Sequence, residues 1–299
     1  MAVNLANKTF VVTGANAGLG LATSRALARA GATVVMGCRD PGRAAKAADV
    51  IRASVPEAKL DLQRLDLASL ASVAAFAQEV TKRHTVVHGL VNNAGLMATG
   101  FGKTTDGFEI QLGVNHLGHF ALTLQLRAAL DAAPRARVVN VASSAHHGIS
   151  AMRWDDLMWD RHTWWAVDKW RAYSQSKLAN LLFTAGLHRR ASNWTVCAAH
   201  PGYAATELQT TGVRDGGAWM EEKVMALLNR VVAQSGEDGA APQIHAATAD
   251  DVEGNAYFGP RNGMTGGGAV PHSRSAAARD DAAAERLWAV SEELTGQRW

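Results

Sequence analysis

The run "KTFVVTGANAGLG", residues 8–20, admits few folds. Residues 8–14 are rich in β-branched and aromatic side chains and read as a buried strand, whereas 19–31 carry apolar residues at helical spacing. Between them, Gly14, Gly18 and Gly20 let the chain turn tightly and bring its backbone close to a bound group. A strand that passes through such a turn into a helix opens a βαβ unit. The helix N-terminus then offers N–H groups and a positive dipole end to a pyrophosphate. The glycine spacing differs from G-x-G-x-x-G, and an ordinary strand–helix turn uses the same residues, so the turn gains its weight from the elements that follow it.

Those elements repeat the unit. Short apolar runs at 33–38, 62–67, 87–95, 137–144, 194–202 and 255–259 alternate with helical patterns at 43–53, 69–83, 106–130 and 170–191, and a last amphipathic helix is expected at about 276–295. Alternation of this kind requires right-handed crossovers and a parallel sheet with helices on both faces. The expectation is an α/β, single-domain Rossmann fold over 1–299, with a doubly wound, mostly parallel seven-stranded sheet. The glycine-rich stretch 259–270 reads as a loop, 207–235 as a substrate lid or an ordinary surface helix, and 270–299 as a helical tail.

Composition narrows the function classes. The net charge is +3 with Lys and Arg scattered, so no basic stripe marks a nucleic-acid partner. No stretch approaches the ~18 apolar residues of a membrane span. The N-terminus has no secretory pattern, and Cys38 and Cys197 read as buried small hydrophobes in a reducing compartment; a cytoplasmic location is expected. The histidines show no metal-ligand spacing, so no metal is expected, and His200 reads as satisfying a local hydrogen bond.

The second strand ends in "GCRD". Arg39 lies where an acidic side chain would receive the adenosine ribose hydroxyls of NAD; a guanidinium there favours the 2′-phosphate of NADP. Asp40 beside it is an alternative acceptor of those hydroxyls, and a solvated surface arginine is the bland alternative. NADP(H) is favoured over NAD(H).

Tyr173 and Lys177 in "YSQSK" stand four apart and leave one helix face together. A phenol with a pKa near 10 becomes a useful acid or base when a cation stabilises its phenolate. Such a pair is common on surfaces, but here "TGANAGLG", "NNAG" and "VNVASS" precede it in order.

With these motifs the chain resembles the short-chain dehydrogenase/reductase family over nearly its whole length. The resemblance gives a cofactor role to Gly14, Asn16, Gly18, Leu19 and Gly20, to Asp66 and Leu67 in "LDL", and to Asn93, Ala94 and Gly95 in "NNAG". It extends that role to Tyr173, Lys177, Pro201, Gly202 and Thr206. It implies a catalytic set of Asn115 in "GVNHLGHF", Ser144 as the second serine of "VASS", Tyr173 and Lys177. The implied reaction is hydride transfer between nicotinamide and a carbonyl carbon, with Ser144 and Tyr173 on the carbonyl oxygen. The 28 residues between Ser144 and Tyr173, with "GCRD", "SSAHH" and "YSQSKLANLLF", are similar to the branch of retinol dehydrogenases and protochlorophyllide reductases.

That insert, 145–172, holds five of the nine tryptophans. Trp154 and Trp170 read as scaffold. Trp159, Trp164 and Trp165 are left open between packing, oligomer contact and pocket wall. The substrate pocket is expected to use Met97, Met152, Trp165 and Trp219, and the substrate to be a bulky, mainly apolar ketone or aldehyde. A non-catalytic NADP-binding sensor and an NAD-dependent alcohol dehydrogenase are the alternatives. An extended-branch epimerase is disfavoured by the glycine spacing. The resemblance implies dimers or tetramers, so a homo-oligomer is compatible, and the C-terminal segment is long enough to obstruct one usual contact.

Overall fold

The computed structural model describes residues 3–163, 165–202 and 236–299; of Trp165 only the backbone is described. Val11 and Val12, wholly buried in β1 (Thr9–Thr13), pair with Val35 of β2 (Thr33–Cys38) and Val91 of β4 (Gly89–Asn92) on either side. β3 (Lys59–Arg64) extends the sheet beyond β2. Beyond β4 come β5 (Arg137–Val141), β6 (Thr195–Ala199) and β7 (Tyr257–Gly259), all parallel. The order β3-β2-β1-β4-β5-β6-β7-β8 reverses direction between β1 and β4, the switch point at which such sheets bind ligands beyond their strand ends.

The eighth strand is additional to the expected seven. β8 (Val270–Pro271) pairs antiparallel with β7, so the glycine-rich loop returns as an edge strand. Proline there costs nothing, because an edge position can leave its missing N–H toward solvent.

Helices α1 (Gly18–Arg29), α2 (Pro41–Ser54) and α8 (Gly236–Thr248) cover one face of the sheet. The other face is covered by α3 (Leu70–Arg83), α5 (Gly118–Gln125), α6 (Arg127–Asp131) and α7 (Trp165–Arg190). α9 (Asp281–Thr295) packs against α7. Asp40, Ser69 and Asp280 cap α2, α3 and α9 with side-chain oxygens. The expected helix at 106–130 instead starts as α4 (Ile110–Leu112) and widens into a π turn (Gly113–Leu117) before α5. Among the described residues no helix is long and apolar enough to cross a membrane.

Candidate active site

The glycine turn is built by steric necessity. Gly14 and Gly18 have φ of +65° and +49°, the left-handed region that favours glycine. A Cβ on Gly20 would stand 2.2 Å from the Gly14 carbonyl oxygen. The next helix starts at Gly18 with no side-chain cap at Ala17, unlike α2, α3 and α9. Its first-turn N–H groups face a groove of about 520 Å³ lined by Gly14, Asn16, Gly18, Leu19 and Gly20. Asn93, Ala94 and Gly95 line the same groove from the end of β4, and Met97, Phe101 and Ile110 continue it. Uncapped donors, glycines at the closest approach and a groove at the switch point fit a dinucleotide.

Arg39 borders this groove, and so does Arg43, which the sequence reading passed over. Asp40 is turned away from the ribose-binding role: its carboxylate accepts the Arg43 N–H at 3.0 Å, and that bond holds its pKa below the usual value. Asp66 and Leu67 are not among the residues that line this groove, and neither are Tyr173, Lys177, Pro201 and Gly202. The Asp66 carboxylate accepts the Ala68 N–H at 3.0 Å, and Leu67 is buried in the core.

Thr13 ties the two strand ends together. Its hydroxyl accepts N–H bonds from Asn93 and Ala94, both at 2.9 Å, and Asn93 donates its amide to the Thr13 carbonyl at 2.8 Å. Gln243 of α8 reaches in to Asn93 at 3.1 Å and Thr23 at 2.6 Å, bracing the turn from behind.

Tyr173 and Lys177 lie on α7, both buried, and Lys177 reaches the Gly95 edge of this groove. The Lys177 ammonium is 5.8 Å from the centre of the Tyr173 ring and donates to the Val141 carbonyl at 3.1 Å. A Cβ on Gly95 would sit 3.0 Å from Asn115 Oδ1 and 3.5 Å from Lys177 Nζ, so these side chains abut the groove's glycine wall. Burial pushes the Tyr173 phenol up to about 12, opposed by a hydrogen bond with the Ser143 side chain. Burial likewise brings Lys177 down to about 8.

The serine whose side chain meets Tyr173 is thus Ser143, where Ser144 was expected to stand. Ser143 continues β5 in extended conformation, φ −158°, and its hydroxyl also accepts the Ala145 N–H at 3.1 Å. Ser144 already begins a 3₁₀ turn (Ser144–Gly148) and so leaves the extended path of the strand. His146 fixes the bend by bonding the Ser143 carbonyl at 2.6 Å.

Asn115 stands in the π turn, a distortion that recurs at functional sites. Its amide oxygen accepts the Leu96 N–H at 2.7 Å; its amide nitrogen donates to the Leu96 carbonyl at 2.9 Å and to Ser176 at 2.8 Å. The residues between tyrosine and lysine also act structurally: Gln175 accepts the Arg153 N–H and donates to the Leu157 carbonyl, which moors the insert.

Within the insert, Trp170 sets its ring edge-on to Tyr173, centroids 6.4 Å apart, and Trp154 lies under Arg286. Trp159 is buried, at φ +55°, beneath the Arg153 guanidinium, and is packing rather than pocket wall. Met97 lines the groove as expected. Met152 does not: it is buried with Leu178 and Leu182 behind the catalytic helix. Thr206, Trp219, Trp164 and the expected lid at 207–235 lie outside the described residues, as does the Trp165 side chain. Gly202, at φ +67°, follows Pro201, and its N–H donates to His200 Nδ1 at 3.1 Å; His200 then meets His272, whose other ring nitrogen bonds the Pro260 carbonyl.

A family model described as short chain dehydrogenase matches residues 8–153. Retinol dehydrogenase 12 of Mus musculus is 39% identical, the match covering 99% of this chain and 89% of the relative. Retinol dehydrogenase 13 of Homo sapiens is 39% identical, with coverage of 97% and 85%. A crystal structure of a protein from Mycobacterium paratuberculosis superposes with a TM-score of 0.80 at 39% identity, covering 99% of this chain and 96% of that one. A short-chain dehydrogenase from Shigella flexneri, complexed with NADP, shares the fold at a TM-score of 0.66 and 19% identity, covering 87% and 99%.

Proposed function

The chain belongs to the short-chain dehydrogenase/reductase family, in its retinol dehydrogenase-like branch, and is an oxidoreductase acting on CH–OH groups; from that premise we propose that it is an NADP(H)-dependent reductase of bulky, apolar ketones or aldehydes. The observation that carries the reading is the buried Tyr173 phenol, hydrogen-bonded by Ser143, with Lys177 standing between its ring and the Gly95 wall of the groove.

Bound dinucleotide supplies a hydride from its nicotinamide ring to the carbonyl carbon. The protein's part is to hold and protonate the oxygen. Ser143 and Tyr173 hydrogen-bond it as negative charge develops, and the Tyr173 proton passes to it, leaving an alcohol. Burial holds the phenol at about 12, so Tyr173 carries its proton at neutral pH and has it to give when the oxygen becomes negative. Lys177, still mostly protonated at neutral pH, stabilises the phenolate left behind. Asn115 holds Leu96, and thereby the loop after β4, in place beside them.

Two guanidinium groups, Arg39 and Arg43, border the groove where an adenosine 2′-phosphate would lie, with Asp40 engaged in capping; this supports NADP(H) over NAD(H). Leu96, Met97, Phe101 and Ile110 support an apolar substrate, and the retinol dehydrogenases among the relatives act on a molecule of that kind. A cytoplasmic site of action belongs to the same proposal.

The test is an absorbance assay of NADPH and NADH oxidation against carbonyls from small aldehydes to polycyclic ketones and retinal. Tyr173→Phe should lose about 10²–10⁴-fold in kcat. Ser143→Ala should lose about 10²–10³-fold, with Ser144→Ala close to wild type. Full activity in Tyr173→Phe would sink the mechanism, and a preference for small polar carbonyls would sink the apolar substrate.

A further inference from the structure

Positions 111, 115 and 119 recur at intervals of four through α4, the π turn and α5, and a buried polar side chain occupies each. Gln111, Asn115 and His119 are at most 2% exposed. A buried helix stripe is ordinarily apolar, because every polar group placed there must find a partner. These three do, and each joins two different elements.

The Gln111 amide accepts the Ala98 N–H at 2.8 Å and donates to the Lys169 carbonyl at 3.0 Å. Only one orientation of the amide satisfies both partners. It thus clamps the groove-lining loop after β4 to the catalytic helix. The clamp acts on a strained point, for Ala98 has φ +48° and is fully buried.

His119 works at the other end. Its Nδ1 lies 3.1 Å from the Asn115 carbonyl, an acceptor only, so Nδ1 carries the proton and Nε2 is left to accept. Thr13 Oγ1, 2.8 Å from Nε2, already accepts the Asn93 and Ala94 N–H bonds and gives its own proton to the ring. Burial, with the nearby Lys177 charge adding to it against the Asn115 bond, brings His119 down to about 4 and keeps it neutral, as this bonding requires.

Resting on the reading of the groove as a cofactor and carbonyl site, we propose that Gln111 and His119 are positioning residues with divided roles: Gln111 sets the carbonyl-side loop, and His119 sets the cofactor cradle through Thr13. Neither touches a reacting atom. Asn115, midway, belongs to both ends.

The division gives opposite signatures in one set of variants. Gln111→Leu should raise the carbonyl KM about tenfold and leave the NADPH Kd, from direct fluorescence titration, within about twofold. His119→Leu should raise the NADPH Kd about tenfold with carbonyl KM little changed. His119→Gln, whose amide oxygen can accept the Thr13 proton, should recover most of that loss. Hydrogen–deuterium exchange reads the same division without turnover: faster exchange at 96–103 in Gln111→Leu, and at Asn93 and Ala94 in His119→Leu. Equal changes of both constants in both variants, or exchange unchanged in these segments, would overturn the proposal. If wild-type protein reduces no carbonyl, the functional reading fails, and the NADPH titration and the exchange pattern still decide the positioning roles.

Discussion

Burial drives the two titrating side chains of the site in opposite directions, Tyr173 up to about 12 and Lys177 down to about 8. Across the neutral range the phenol therefore holds its proton, and the ammonium is the group that titrates first. Reduction needs Lys177 charged beside the forming phenolate. The kcat/KM for carbonyl reduction should be level up to about pH 7 and fall as pH rises through about 8. Lys177→Arg, permanently charged, should move that fall to higher pH at some cost in rate. A wild-type profile level well above pH 8 would remove Lys177 from the titration. At this scale the sequence shows residue types and spacing but not direction. Gly14, Gly18 and Gly20 were legible because only glycine tolerates their geometry, and Tyr173 and Lys177 because four residues make one helical turn. Choosing between Ser143 and Ser144 needs to know where β5 stops turning its side chains alternately, and one residue reverses the answer. Met152 read as pocket because it follows the serine loop, but the loop folds back and buries it. Arg43 went unnoticed because its approach to the groove depends on how α2 leaves β2.

Elements with strong local patterns were legible to within a few residues, and those shaped by neighbours were not. β1, β2, β5 and β6 carry buried β-branched runs. β3, an edge strand with little burial, lies at 59–64 and not at 62–67, since half-exposed positions place no apolar demand on the sequence. α8 has no counterpart among the expected elements: Gly236, Gly239 and Pro242 are poor helix formers, and packing against α1 sustains the helix. The helix expected from 106 begins only at Ile110, and the reason is a cap. Glu109 caps α4, accepting the Gln111 N–H at 2.9 Å and the Leu112 N–H at 2.6 Å, while only 2% exposed. Burial pushes its carboxyl from 4.5 up to about 7, against the pull of those two bonds. The folded protein thus binds this proton more tightly than the unfolded chain. Its contribution to stability is full below pH 4.5 and is lost as pH rises through about 7. Glu109→Gln should remove that slope, gaining on wild type in urea unfolding between pH 5 and pH 8; a difference constant with pH would show that the carboxyl does not titrate in this window.

At the scale of the molecule, the C-terminal helix is part of the core. α9 lays Trp288 between Phe120 of α5, at 5.1 Å and edge-on, and Phe183 of α7, at 6.0 Å, with the Arg190 guanidinium 4.1 Å above the indole. Trp299 continues the stack onto Trp194 under Arg127, and Ser291 meets His116 of the π turn at 2.8 Å. Arg189 and Arg190 pair with Asp281 and Glu285 along the rim. The helices that carry Asn115, Tyr173 and Lys177 therefore face the sheet on one side and this tail on the other. Their spacing is set by both. The rim pairs are partly solvated and contribute little each, so the apolar seam decides the strength of the attachment. Trp288 is 4% exposed and touches both helices, so its loss leaves a large unfilled volume in the seam. Trp288→Ala should cost about 3–5 kcal/mol in urea unfolding, with an unchanged m-value if the transition stays two-state. Because α5 and α7 then lose a shared support, turnover should decline at temperatures where wild type is still fully folded. A loss under about 1 kcal/mol, the size typical of a surface substitution, would mean that the tail lies on a core already complete without it.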